Sequence, residues 1–110
     1  MKLCLINPPW TTIKGYEDSI RVPFPLGLAY IASYLQKHGI EVKIIDALAQ
    51  GWRLRHTGDD GIIKVGLPPG HITDIVSGLS PDAIGISCMF TSQSNNLHEM
   101  ACAIKKEFPD

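Results

Sequence analysis

The sequence predicts an open α/β fold built on a small parallel sheet, and three observations carry that expectation. Two short apolar runs, Lys2–Asn7 (KLCLIN) and Glu41–Asp46 (EVKIID), stand on either side of a stretch with helical period, residues 26–38. A third apolar run, residues 83–87 (AIGIS), lies between two further helical stretches. The first run is near-continuously apolar, as expected of a central strand covered on both faces. A strand, a helix and a strand in so little chain make a βαβ unit, with a right-handed crossover.

The first strand stops at Asn7-Pro8-Pro9. Proline has no N–H for a ladder and pushes the residue before it away from the helical region. Residues 8–25 carry Trp10, Gly15, Tyr16 and further prolines without a clear period, so they read as a long loop. Loops of that length in a small domain are uncommon and are usually functional or mobile. In the helix that follows, Leu28, Ile31, Ala32 and Leu35 fall at i, i+3, i+4 and i+7 and mark the expected core face, with Tyr30 and Tyr34 flanking it. Gly39 suits the position just past the helix end.

After Asp46, residues 47–61 are polar and glycine-punctuated, and Ile62–Val65 is expected to add a small strand or hairpin edge. Pro68-Pro69 opens a weaker helix whose apolar positions are Ile72, Ile75, Val76 and Leu79, with Gly78 against it. The last helix is expected from about Leu97 to Glu107, with Leu97, Met100, Ala101, Ile104 and Phe108 along one face. Asn96, with Glu99 three residues on, resembles a capping box.

Composition bounds the function. At 110 residues the chain is one domain at most; 45% hydrophobic content is enough to bury a core. A net charge of -1 gives no reason to expect nucleic acid or an anionic membrane as partner. No apolar run approaches the roughly 18 residues of a membrane span, and no signal-peptide pattern stands at the start, so the chain reads as cytoplasmic. Cys4, Cys88 and Cys102 are far apart and read as reduced thiols packed as small apolar groups.

Candidate site residues cluster at the expected carboxyl ends of the strands, where open parallel sheets bind ligands. Asn7, Pro8 and Pro9 follow the first strand. Phe24, Pro25, Leu26 and Gly27 open the first helix; Gly27 has no side chain to keep a bulky ligand from the backbone. Free N–H groups at that helix start favour an anion, and plain helix initiation explains the same residues without a ligand. Ser87, Cys88, Met89, Phe90 and Thr91 follow the third strand, pairing small hydroxyls with large apolar groups. Asp46 could hold a ribose, but the glycine fingerprint of a dinucleotide fold is missing after the first strand. His38, His56, His71 and His98 are scattered and read as surface residues.

Four of these segments together, residues 1–9 (MKLCLINPP), 25–35 (PLGLAYIASYL), 39–47 (GIEVKIIDA) and 81–87 (PDAIGIS), resemble the N-terminal cobalamin-binding domain of cobalamin-dependent radical S-adenosylmethionine enzymes. The resemblance implies a flavodoxin-like sheet, here with strand order 2-1-3 and cut after the third strand and its helix. It implies that the corrin lies over the strands' carboxyl ends. It also implies a parent protein with a [4Fe-4S] cluster and S-adenosylmethionine in a C-terminal radical enzyme domain that these residues do not contain. The wider cobalamin fold carries Asp-x-His-x-x-Gly before its first helix, the His ligating cobalt. With Gly27 as the glycine, Val22 and Phe24 take the Asp and His positions, so this loop offers cobalt no histidine. Ser87-Cys88-Met89 resembles the Ser-x-Leu motif of that fold.

Two functions follow. One is a cobalamin-binding module of a methyltransferase or cyclase, not catalytic by itself. The other is a flavodoxin-like interaction or regulatory domain without a cofactor. In either, the third strand or the last helix is expected to mediate homo-oligomers, because an apolar edge without charges or prolines invites pairing.

Overall fold

The computed structural model describes residues 1–16, 25–58, 60–88 and 91–109. In chain order the elements are β1 (Lys2–Asn7), β2 (Trp10–Ile13), α1 (Leu26–Lys37), β3 (Glu41–Asp46), α2 (Ala47–Gln50), β4 (Arg55–Thr57), β5 (Ile62–Val65), α3 (Pro69–Leu79), β6 (Ala83–Ile86) and α4 (Ser94–Glu107). Strand β1 is the centre of a three-stranded parallel sheet, between β3 and β6. Counting only the parallel strands, the order is the expected 2-1-3. Ile6 stands beside Ile45 on one side and Ile86 on the other, and Asn7 stands beside Asp46.

Alternation along β1 divides the core into two layers. Leu5 joins Val42 of β3 and Leu28 and Ala32 of α1 on one face. Cys4 and Ile6 join Ile45, with Ile72 and Val76 of α3 and Met100 and Ile104 of α4, on the other. Each such large side chain contributes roughly 1.5–3 kcal/mol through burial. Helices on both faces of a parallel sheet are what a doubly wound chain requires. Burial pushes the Cys4 thiol up from its ordinary pKa, so it sits in the core as a neutral group. Cys88 and Cys102 are exposed, which corrects the expectation that all three thiols pack.

Helix α1 buries a narrower face than its period suggested. Leu28 and Ala32 are buried and Leu35 packs against them, but Ile31 is 49% exposed. Leu26, Tyr30 and Tyr34 are exposed as well. Gly39 holds φ at +80° just past the helix, a conformation that penalises any side chain, and its N–H bonds the Gln36 carbonyl.

The segment read as a loop after Pro9 begins with a strand instead. Strand β2 pairs antiparallel with β5, and β5 pairs antiparallel with β4, giving a second sheet ordered β2-β5-β4. Its apolar side, Ile63 and Val65, packs with Trp10 and with Leu48 of α2. Thr11 of β2 is tied to the first turn of α4: its hydroxyl donates to Asn96 Oδ1 at 2.7 Å, and its N–H donates to Gln93 at 2.9 Å. Helix α4 therefore starts at Ser94, after a single 3-10 turn over Thr91–Gln93, and the expected capping box does not form. Asn96 Nδ2 donates to Gln93 instead, and Glu99 ion-pairs with Lys64 of β5.

Candidate functional site

The site is built where the three parallel strands end. Asn7 is the last residue of β1, and its amide Nδ2 donates to Asp46 Oδ1 at 2.9 Å across to the end of β3. The same carboxylate oxygen accepts the Ala49 N–H at 3.1 Å and so caps α2. On the other side the Ser87 N–H donates to the Ile6 carbonyl at 3.0 Å, extending the β1–β6 ladder by one bond. The Ser87 hydroxyl lies 3.3 Å from Asn7 Oδ1 and donates to it. One polar row, Asp46–Asn7–Ser87, thus spans the ends of all three strands. Two of its members were expected site residues. Asp46 was set aside as a ribose ligand; its signal in the sequence was an aspartate placed directly before the helical Ala47-Leu48-Ala49, the position of an N-cap.

Pro8 and Pro9 are buried in the turn that leaves β1. A Cβ on Gly66 would meet Pro9 Cβ at 2.8 Å, so this turn is also the seat of the second sheet. Helix α1 runs antiparallel to the strands it connects, which puts its first residues at the same end of the sheet as Asn7 and Ser87. Pro25 occupies the N-cap and its carbonyl accepts the Ala29 N–H at 3.0 Å. Among the described residues no side chain caps this helix, and its first turn holds no acidic residue. Leu26 is exposed. Gly27 is exposed too, and a Cβ placed there would meet nothing within 4 Å. That glycine is not needed for packing within the described chain, and the space it leaves faces outward.

Cys88 is exposed beside Ser87. Thr91 opens the 3-10 turn before α4. Phe24, Met89 and Phe90 lie outside the described residues, as does the loop position of Val22. All four histidines are exposed, on four different elements or their ends. A cavity of about 450 Å³ opens between the second sheet and the starts of α3 and α4, helix starts that lie at the same carboxyl end of the parallel strands. It is lined by Pro9, Leu54, Lys64, Leu67, Pro68 and Met100 among others. Of the expected site residues it takes in Pro9. Among the described residues every buried side-chain polar atom has a partner.

These features define an open α/β domain with helices on both faces of a parallel sheet, the class of fold in which ligands bind beyond the carboxyl ends of the strands. The chain belongs to the B12-binding domain family: the family model of that domain matches residues 21–110. It is also 39% identical, over 101 residues, to the cytidylyl-2-hydroxyethylphosphonate methyltransferase of Streptomyces wedmorensis. That match covers 90% of this chain and 18% of that protein, so the chain spans less than a fifth of the relative's length. No solved structure matches the chain significantly. Among the described residues, no helix is long and apolar enough to cross a membrane.

The residues at the strand ends fit the family's cofactor in kind. A half-buried amide and hydroxyl, a helix start that no described side chain caps and an outward-facing glycine suit a large ligand with polar edges. Among the described residues at these strand ends there is no histidine.

Proposed function

We propose that this domain binds cobalamin over the carboxyl ends of β3, β1 and β6, as the cofactor module of a cobalamin-dependent radical S-adenosylmethionine methyltransferase. The observation that carries the reading is the meeting of Asn7 and Ser87 at the end of the parallel sheet. Membership of the B12-binding family and likeness to a methyltransferase support it. When bound, cobalamin supplies the cobalt chemistry of group transfer, and the protein's part is to hold and orient it. Asn7 and Ser87 offer hydrogen bonds from below, and Pro25, Leu26 and Gly27 give the backbone close approach at the side. Cys88 and Thr91, which flank residues 89 and 90, are assigned to the rim of the site in this reading, and Pro8 and Pro9 to its floor.

Hydroxocobalamin mixed with the purified protein should co-elute with it on gel filtration. Absence of co-elution favours an interaction or regulatory domain without a cofactor. With Phe24 at the ligand position, electron paramagnetic resonance of the bound cob(II)alamin form should show no splitting from an imidazole nitrogen. A clear protein-nitrogen triplet would contradict this and point to His56 or His71.

The reaction itself belongs, in this reading, to a further domain carrying a [4Fe-4S] cluster and S-adenosylmethionine. Incubated with S-adenosylmethionine and a reductant, the 110 residues alone should form no 5′-deoxyadenosine. Detectable product after rigorous purification would place catalytic groups within them. Strand β6 is the edge of the parallel sheet, and its composition, Ala, Ile, Gly, Ile, carries no charge or proline to discourage pairing. Light scattering at micromolar concentration should accordingly give a mass above that of one chain, with this edge or α4 at the contact. A mass of one chain at all concentrations would show the edge to be covered in another way.

A further inference from the structure

We propose that Asp46 is a positioning residue of the strand-end site: its carboxylate sets the orientation of the Asn7 amide, and through it that of the Ser87 hydroxyl. The inference rests on the reading that cobalamin binds at these strand ends. An asparagine amide has two ends of nearly equal shape, one donating and one accepting, and only its partners decide which way it faces. A carboxylate has no proton to give. Asn7 must therefore turn its NH2 toward Asp46, at 2.9 Å, because the flipped amide would set two acceptor oxygens against each other. That choice leaves Asn7 Oδ1 facing Ser87, so the serine hydroxyl has to be the donor of the second bond.

The two bonds are not equal. At 3.3 Å the Ser87 bond is long for O–H···O, so a ligand acceptor can recruit the serine proton. Asn7 cannot be recruited in the same way, because the carboxylate holds its amide. The site thus has one fixed member and one adjustable member. The register places this relay without any loop: Asn7 and Asp46 are opposite each other as the last pair of the β1–β3 ladder. Asp46 is further locked by the Ala49 N–H, which uses the same carboxylate oxygen at 3.1 Å.

Asp46→Ser tests the role. Serine caps a helix start as well as aspartate does, so α2 should survive and the thermal midpoint should move little. A hydroxyl can accept from Asn7 or donate to it, so the orientation of Asn7 is no longer dictated. The dissociation constant for hydroxocobalamin, read by absorbance titration of the purified protein, should rise about tenfold, the scale of one hydrogen bond to a charged group. Asp46→Asn is the conservative variant: the Ala49 N–H holds the amide oxygen where the carboxylate oxygen stood, and that oxygen still accepts from Asn7. It should therefore restore most of the affinity that Asp46→Ser loses. Asp46→Ser binding like the wild type would overturn the positioning role, and so would Asp46→Asn no tighter than Asp46→Ser. Were Asp46→Ser to unfold, the wild type still gives a reading: the Asn7 side-chain NH2 should exchange with solvent slowly, and exchange as fast as an exposed amide would sink the relay. Failure of the wild type itself to bind hydroxocobalamin is a different result; it removes the cofactor reading on which the proposal stands.

Discussion

Replacing Gly27 by leucine should abolish cobalamin binding at micromolar concentration and leave the fold intact. The two halves of this expectation come from separate observations. The fold should survive because a Cβ at position 27 meets nothing within 4 Å and the residue lies in the first turn of α1. Leucine is the better helix former, by up to about 1 kcal/mol in a helix interior, so stability should hold or rise. Binding should fail because the space that glycine leaves lies at the carboxyl end of the parallel strands, beside the first turn of α1. An isobutyl group standing there would hold a corrin several ångströms from the backbone. A loss of at least about a hundredfold, or ~2.7 kcal/mol, is the expected scale. Stability and affinity therefore move in opposite directions, which no general weakening of the fold can imitate. If Gly27→Leu is stable and binds hydroxocobalamin like the wild type, the ligand does not pass over the start of α1. The cavity beside Leu54 and Met100 would then be the place to look.

What the sequence made legible, and what it did not, follows from the range of the interactions involved. The three parallel strands were readable from local signals: β1 and β6 are short apolar runs, and β3, Glu-Val-Lys-Ile-Ile-Asp, is a strand-like run set off by Gly39 before it. Their carboxyl ends, with Asn7 and Ser87, were placed correctly because topology alone puts successive parallel strand ends together. Strand β2 escaped because it exists only by pairing Trp10 with Val65 and Ile13 with Ile62, some fifty residues away in the chain. Its four residues, Trp-Thr-Thr-Ile, have strand propensity, but flanking prolines and glycine outweigh so short a run. The start of α4 was misplaced for a related reason. Asn96 has the chemistry of a cap, yet its amide is claimed by Gln93 and its oxygen by the Thr11 hydroxyl, a contact across the whole chain. Asp46 carried a helix-cap signal, but its bond to Asn7 appears only when β1 and β3 are set in register.

The clearest quantitative difference between the period and the structure lies at two isoleucines. Ile6→Ala should cost about 3 kcal/mol of unfolding free energy, and Ile31→Ala should stay within about 0.5 kcal/mol of the wild type. By helical spacing Ile31 belongs to the core face of α1, and a pattern-based reading would charge it a core penalty. The folded chain leaves it 49% exposed, whereas Ile6 is 0% exposed on the central strand. Truncating Ile6 opens a cavity between Ile45 and Ile86, its neighbours in register, and the helices α3 and α4 cannot both close onto it. Small domains have only about 5–15 kcal/mol to lose, so this change should move the urea midpoint far while Ile31→Ala should barely move it. The site couples to the same residue. The Ile6 carbonyl accepts the Ser87 N–H, and the next residue is Asn7. A ligand that binds only the folded chain adds stability by mass action, about 2.7 kcal/mol at a hundred times its dissociation constant. Saturating hydroxocobalamin should therefore recover much of what Ile6→Ala loses, and should raise the wild-type midpoint as well. Equal losses at Ile6 and Ile31 would mean that α1 is rotated onto a different face of the sheet. An Ile6→Ala midpoint that the ligand cannot raise, where the wild type binds it, would mean that the variant has lost the site along with its core packing.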